Sequence, residues 1–314
     1  QLNKAEYAYL AEKMRKFHGF YIQKRALRDY QTKHAANILG YIAQVNQSII
    51  NRNPYYQSGD LIGIQGVEKQ YEEVLRGEKG VRYLQKNRFN QVIGPYKNGK
   101  YDTLPKRGHD IMITIDAELQ KYGEELMVNK RGGIVALEPK TGEILALVSA
   151  PSYDPGLLVG RERSRNFNKL WYDTISRPLF DRSLQAEYPP GSTFKMLTGL
   201  IALQEGVATS NENMSCFGAY HYGARRPLGC RPHISPVNMK SAISVSCNTY
   251  FSAKYRSIIE KYPSPQEGMD AWNKHLSSFG LGDFLGYDLP IGRPGHVPGA
   301  DYYNRHYRYP KYRW

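Results

Sequence analysis

The spacing of apolar positions changes several times along the chain, and each change marks an element. Leu10, Met14 and Phe17 recur at helical spacing in YLAEKMRKF, so residues 1–40 read as mixed helix and extended chain. Val67 to Leu75 reads as a short helix bounded by Gly66 and Gly77. The polar, glycine-bearing passage IGPYKNGKYDTLPKRGHD has no such period and reads as a linker, which puts a domain boundary near Gly108. Beyond it IMITID alternates like a strand, and AELQKYGEELMV returns to helical spacing. Two apolar runs in GGIVALEPKTGEILALVSAPSYDP are joined by Pro139-Lys140-Thr141-Gly142, the signature of a hairpin. STFKMLTGLIALQEG then places Phe194, Leu197, Leu200, Ile201 and Leu203 on one broad apolar face and stops at Gly206. This predicts a buried helix that begins at Ser192. The second domain therefore mixes sheet and helix, and no internal repeat or low-complexity tract interrupts it.

Composition narrows this picture in two ways. With 314 residues, 41% of them hydrophobic, the chain can bury the cores of two domains and is not a disordered segment. Its net charge of +14 suits an anionic partner or surface, whether nucleic acid, lipid bilayer or acidic polymer, and equally suits a plain basic surface. YYNRHYRYPKYRW interleaves aromatic and basic residues, but no nucleic-acid motif accompanies it; it reads as a surface loop, and no nucleic-acid partner is expected. GRERSRN, residues 160–166, reads as a solvated basic loop. No apolar run approaches the ~18 residues of a membrane span, and the chain opens on Gln1 with no signal peptide in view, so its beginning is silent about anchoring.

Candidate chemistry gathers at YPPGSTFKM. Ser192 and Lys195 are three residues apart and so share a helix face, while Pro189, Pro190 and Gly191 fix the entry of the chain. A serine hydroxyl needs a base within reach, and a lysine can serve when burial and nearby positive charge favour its neutral form. Phe194 and Met196 are the expected source of that burial. An isolated S-x-x-K is more often a helix cap beside a solvated lysine. A second element, Ser246-Cys247-Asn248, lies in SAISVSCNTYF between two helical stretches, and it too is a cap when taken alone.

The three cysteines, Cys216, Cys230 and Cys247, fall within 32 residues, the first two with His233 in the loop-rich passage CFGAYHYGARRPLGCRPHISP, where His233 follows Cys230 by three residues. Three thiolates and an imidazole make a complete tetrahedral set for a structural Zn²⁺, which is the expected cofactor. A Cys216–Cys230 disulfide with Cys247 as a small buried residue is the alternative.

S-x-x-K after a P-P-G turn, followed by S-x-N, resembles the penicillin-recognising serine acyltransferases. GGIVALEPKTGEILALVSAPSYDP, YPPGSTFK and SCNTYF resemble the class B penicillin-binding proteins, in particular the elongation-specific D,D-transpeptidases, and IGIQGVEKQYEEVLRGEKG resembles their N-terminal pedestal. The resemblance implies an α+β chain: an elongated, dimerisation-like pedestal over residues 1–107, then a transpeptidase domain over residues 108–314 with helices on an antiparallel sheet. It implies Ser192 as nucleophile, Lys195 as base, Ser246 as proton carrier to the leaving amine, and Asn248 holding Lys195 and a substrate amide. The implied substrates are peptidoglycan stem peptides, with β-lactams as acylating mimics and no cofactor needed for catalysis. A helix ahead of residue 1 would anchor the protein in the bacterial cytoplasmic membrane, catalytic domain outside, beside a membrane glycosyltransferase and other elongation proteins.

One departure stands out. The family's K-T-G strand should follow Asn248, whereas the sole Lys-Thr-Gly here, Lys140 to Gly142, lies in the hairpin turn. The resemblance thus implies a partial transpeptidase domain, with that strand lying beyond Trp314. A β-lactamase or β-lactam sensor is the rival within the same chemistry, but has no reason to carry a pedestal. A non-catalytic scaffold docking a glycosyltransferase through residues 1–107 is the rival from another class.

Overall fold

The computed structural model describes residues 4–17, 27–222 and 226–306. The chain divides into two units, residues 1–186 with 287–292 and residues 187–286 with 293–314.

The first unit starts with helices α1 (Lys4–Ala11) and α2 (Ala36–Leu39). Strand β1 (Ile42–Gln44), helix α3 (Gln47–Arg52) and strand β2 (Leu61–Gly63) follow, with β1 and β2 antiparallel. Next come α4 (Gly66–Gln70) and α5 (Glu72–Leu75), so the helix expected over Val67–Leu75 is broken at Tyr71, whose φ of −106° and ψ of 22° leave the helical region. Gly40 and Gly66 let two backbones meet: a Cβ on Gly40 would lie 1.8 Å from the Gln65 carbonyl oxygen, and both glycines have positive φ. Glu68, buried beneath, is held by a bidentate Arg28 at 2.6 and 2.8 Å.

The passage expected as a linker is paired. β3 (Leu84–Lys86) and β4 (Val92–Pro95) form an antiparallel hairpin, and bridges join Val81 to Thr103 and Glu78 to Lys106. The cause is local: Asn87 Oδ1 accepts the N–H groups of Phe89 and Gln91, which closes the turn, and β-branched Val92 and Ile93 suit the strand that follows. IMITID is extended but carries no strand ladder. Thr114 Oγ1 and the Asp116 N–H instead donate to the carbonyls of Ile144 and Leu145, while Ile111, Ile113 and Ile115 pack against Ile38, Val67 and Leu147.

Helix α6 (Ala117–Leu126) begins where Asp116 Oδ1 accepts the N–H groups of Glu118 and Leu119. The expected hairpin follows: β5 (Gly132–Leu137) and β6 (Ile144–Ala150) pair from Gly132↔Ala150 to Leu137↔Ile144, and Lys140-Thr141-Gly142 forms its tip. Gln120 of α6 is buried and clamps β6, donating to the Leu147 carbonyl at 3.1 Å and accepting its N–H at 2.8 Å. GRERSRN is not simply a solvated loop, because Arg163 opens helix α7 (Arg163–Tyr172) and its guanidinium donates to the Ile42 carbonyl at 2.9 Å. Helix α8 (Arg182–Gln185), capped by Asp181, closes this part of the chain.

In the second unit a single 3₁₀ turn, Gly191–Thr193, leads into α9 (Phe194–Gln204), which ends ahead of Gly206 with φ at +71°. Strands β7 (Ala219–Tyr220) and β8 (Leu228–Gly229) form a small antiparallel ladder. Helices α10 (Met239–Ser244), α11 (Asn248–Glu260), α12 (Pro265–Ser278) and α13 (Ala300–His306) complete it. Of the basic and aromatic tail, residues 307–314 lie outside the described residues.

Helix α11 is the axis of this core. Its Tyr250, Phe251 and Ile258 meet Ile201 and Ala202 of α9 and Met269, Trp272 and Leu276 of α12. Helix α9 is less buried than its composition suggests, since Met196 and Leu200 are 54% and 53% exposed. Thr198, Gly199, Ile201 and Ala202 are buried and Phe194 packs half-buried beside them, because one face suffices to pack on α11 and α12.

The end of α9 is tied down by charge. Glu205 accepts Lys261 Nζ at 2.7 Å, His275 Nε2 at 2.5 Å and the Tyr262 hydroxyl at 3.0 Å. Lys261, then His275 and then Tyr262 hold its carboxyl down at about 2, against burial. A depressed carboxylate stabilises the fold above its ordinary pKa, and that contribution is lost as pH falls toward about 2. Glu205→Gln should therefore be less stable than the parent protein in denaturant at pH 6, and the gap should close as pH drops below the ordinary carboxylate range. A gap that stays constant with pH would remove the ionic tie from the account.

Candidate functional site

The 3₁₀ turn at Gly191–Thr193 sets Ser192 at the mouth of α9, with Gly191 at φ +64° and Thr193 Oγ1 donating to the Pro190 carbonyl at 2.7 Å. Lys195 lies half-buried on the first turn of α9 itself. The second element comes from the junction of α10 and α11. The Cys247 N–H returns to the Ala242 carbonyl at 2.8 Å, which closes α10 and forces Ser246 into the left-handed region at φ +55°. A non-glycine residue held there is strained, and here the strain aims Ser246 Oγ back at α9.

All four expected residues come together. Ser246 Oγ donates to Ser192 Oγ at 2.9 Å. Lys195 Nζ donates to the Ser246 carbonyl at 2.7 Å, to Ser246 Oγ at 2.9 Å and to Asn248 Oδ1 at 2.6 Å. These three bonds use all the donors of an ammonium. The direct serine–lysine contact expected from the shared helix face is replaced by a relay through Ser246, since Ser192 sits in the 3₁₀ turn before α9 rather than on it. Burial holds the Lys195 amine below its ordinary pKa; negative charge on Cys230 and Cys247 opposes this, and Arg231 assists it. Met196 contributes less to that burial than expected, being exposed.

Asn248 is fixed from its other side by a residue that the sequence did not announce. Its Nδ2 donates to the Gly229 carbonyl at 2.8 Å, at the end of β8. Its N–H donates to Cys230 Sγ at 3.2 Å, and two residues on the Tyr250 N–H donates to Cys247 Sγ at 3.3 Å. The free N–H groups at the start of α11 thus end on sulfur.

Cys216, Cys230, His233 and Cys247 also converge, with ligand atoms all within 4.8 Å of one another. Cys230 Sγ lies 3.8 Å from Cys247 Sγ and 3.5 Å from His233 Nε2. A tetrahedron with Zn–S bonds of ~2.3 Å has edges of about 3.8 Å, so the spacing fits such an ion. His233 Nδ1 lies 2.8 Å from the Ile234 carbonyl, which takes its N–H and leaves the Nε2 lone pair facing the sulfurs. Thr249 Oγ1 sits 3.1 Å from Cys216 Sγ, and the Cys216 N–H donates to Ser235 Oγ at 2.8 Å. Burial pushes the Cys230 thiol up, but the N–H groups of Thr249 and Asn248, with His233 and Cys216, outweigh it and bring it to about 6. Burial dominates at Cys247 and raises it to about 11. All three cysteines are free thiols in the structure.

A serine on a helix mouth, linked through a second serine to a half-buried lysine, has the groups that serine acyl transfer requires. Residues 132–306 match the penicillin binding protein transpeptidase domain, and residues 1–113 match the penicillin-binding protein dimerisation domain. The chain belongs to the penicillin-binding protein transpeptidase family. It is 32% identical over 308 residues to the peptidoglycan D,D-transpeptidase MrdA of Acinetobacter baumannii, covering 96% of this chain and 44% of that protein. The same-named protein of Escherichia coli is 30% identical, with 99% and 48% covered. Among solved structures, the complex of Penicillin-Binding Protein (PBP2) and MreC from Helicobacter pylori superposes with a TM-score of 0.82 at 27% identity, covering 97% of this chain and 55% of that one. Pseudomonas aeruginosa PBP2 in complex with WCK 5153 gives 0.70 at 29% identity, covering 90% and 57%. The chain spans about half the length of the curated relatives it matches. Among the described residues no helix is long and apolar enough to cross a membrane.

Proposed function

We propose that the protein is a peptidoglycan D,D-transpeptidase of cell-wall elongation that works through an acyl-enzyme on Ser192. The observation that carries this reading is the unbroken contact line Ser192–Ser246–Lys195–Asn248. Ser192 Oγ attacks the carbonyl between two terminal D-alanines of a stem peptide. With Lys195 neutral, the Ser192 proton passes to Ser246 Oγ as the Ser246 proton passes to the Lys195 lone pair, so the relay needs no direct serine–lysine contact. The tetrahedral oxyanion lies near the Ser192 N–H, at a helix mouth where backbone donors are unspent. Lys195, through Ser246, returns the proton to the leaving D-alanine amine. The amine of a second stem peptide then takes the acyl group and forms the crosslink. Asn248 keeps Lys195 in register throughout. β-Lactams carry the same reactive carbonyl and acylate Ser192.

The name of the curated relatives supports this reading, as does the match to the dimerisation domain, which a β-lactamase or sensor has no reason to carry. Residues 1–107 act as the pedestal in this reading, docking a membrane glycosyltransferase and other elongation proteins on the outer side of the bacterial cytoplasmic membrane. The Helicobacter pylori relative solved with MreC supports a partner-binding role of this kind.

The sulfur cluster is a structural Zn²⁺ site in the same proposal, held by Cys216, Cys230, His233 and Cys247. When bound, the ion would draw off thiolate charge and crosslink a loop that has little core of its own. The protein's part is to fix the ligands: α11 presents N–H groups to two sulfurs, and Ile234 sets the histidine tautomer.

Two measurements test these readings. The full-length protein should take up a fluorescent penicillin covalently, Ser192→Ala should abolish the label, and Lys195→Arg should slow acylation by roughly 10²–10⁴-fold. Labelling that persists in Ser192→Ala removes Ser192 from the mechanism. Protein purified without a His-tag should carry one zinc per chain and release three thiols on denaturation in chelator. No metal and a single thiol would instead point to a disulfide.

A further inference from the structure

We infer that Cys230 is a redox modification site: in the metal-free cluster it forms a reversible disulfide with Cys247, and this bond disables the Ser192 centre. The pair is selected by position. Their sulfurs are 3.8 Å apart, so reaching a disulfide length of ~2.05 Å requires an approach of about 1.8 Å. Cys247 is fully buried and anchored by its N–H to Ala242 and by the α11 cap. Cys230 is part-exposed on the loop after the two-residue strand β8. Cys230 therefore both meets the oxidant and makes the movement. Cys216 Sγ shares the cluster, but it also contacts Thr249 Oγ1 at 3.1 Å, and its backbone N–H donates to Ser235 Oγ at 2.8 Å, so it is the more tethered partner.

That movement reaches the catalytic residues in one step. Asn248 rests on the Cys230 sulfur through its N–H and on the adjoining Gly229 carbonyl through its side chain, and its Oδ1 holds Lys195 Nζ at 2.6 Å. A disulfide sulfur is a poor acceptor, and the shift of residues 229–230 withdraws the second support as well. A displacement on the order of 1 Å at such a support costs on the order of a hundredfold in rate.

The chemistry balances with a small-molecule disulfide as oxidant. Cys230 thiolate attacks one of its sulfurs, forming a mixed disulfide and expelling the first thiolate. Cys247 loses its proton and attacks the Cys230 sulfur, expelling the second. The protein gives up two electrons, and the oxidant leaves as two thiols. The inference rests on the zinc reading only in that a bound ion would occupy the sulfurs and block the reaction.

The test uses full-length protein stripped by chelator under reductant, desalted, and treated with oxidised glutathione. Peptide mapping should find Cys230 linked to Cys247, with Cys216 left as a free thiol. Added zinc should then leave penicillin acylation on the order of a hundredfold slower than in the stripped but reduced protein given zinc, until reductant is supplied. Cys216→Ser, which removes the alternative partner, should form the same link. A link through Cys216, a persistent mixed disulfide with glutathione, or equal recovery of acylation with zinc in the oxidised and reduced samples overturns the inference. Protein that holds no zinc as purified would sink the metal reading alone, because the disulfide is mapped on stripped protein in either case.

Discussion

The first turn of α11 is the constraint on which the site depends. A helix start leaves backbone N–H groups without partners, and here those of Asn248 and Tyr250 end on the sulfurs of Cys230 and Cys247. The side chain of the same Asn248 reaches the other way, to Lys195 and Gly229. One residue therefore belongs both to the sulfur cluster and to the hydrogen-bonded line that joins Lys195, Ser246 and Ser192. Helix α11 can serve as this reference because its remaining length is the axis of the second unit's core, with Tyr250 and Ile258 fully buried against α9 and α12.

Electrostatics gives this arrangement a direction. The positive end of α11 favours thiolate at Cys230, which lies at about 6, while Lys195 must be neutral to act as a base. Burial lowers the Lys195 pKa, and thiolate charge nearby raises it again. Burial still prevails, and a cation held among the sulfurs would offset that charge and leave burial less opposed. The strained φ of Ser246 fits the same logic, since strain at one residue is tolerable where helix closure on one side and two lysine hydrogen bonds on the other hold it.

What could be read from the sequence, and what could not, divides along physical lines. The β5–β6 hairpin was legible because turn chemistry and apolar runs agree, and Ser192, Lys195, Ser246 and Asn248 were legible as two short motifs brought together. The cysteine–histidine set was visible from residue type alone, and the structure supplies its spacing. The relay through Ser246 was hidden, because helical spacing says that Ser192 and Lys195 share a face but not that the first turn is 3₁₀. Gly229 contributes only a carbonyl and leaves no signature. The supposed linker failed as a prediction since glycine and lysine are common both in tethers and in small exposed hairpins, and only the Asn87 turn separates the two. Arg163 looked solvated because its acceptor, the Ile42 carbonyl, is remote in sequence.

The central claim, that the start of α11 makes the sulfur cluster and the catalytic relay one unit, is tested most directly by a double-mutant cycle on the penicillin acylation rate using Asn248→Ala and Cys230→Ala. Residues that act as a unit show non-additive effects. The account predicts that the double variant is little slower than Asn248→Ala alone, because removing Cys230 acts through Asn248. Losses that simply multiply would contradict it.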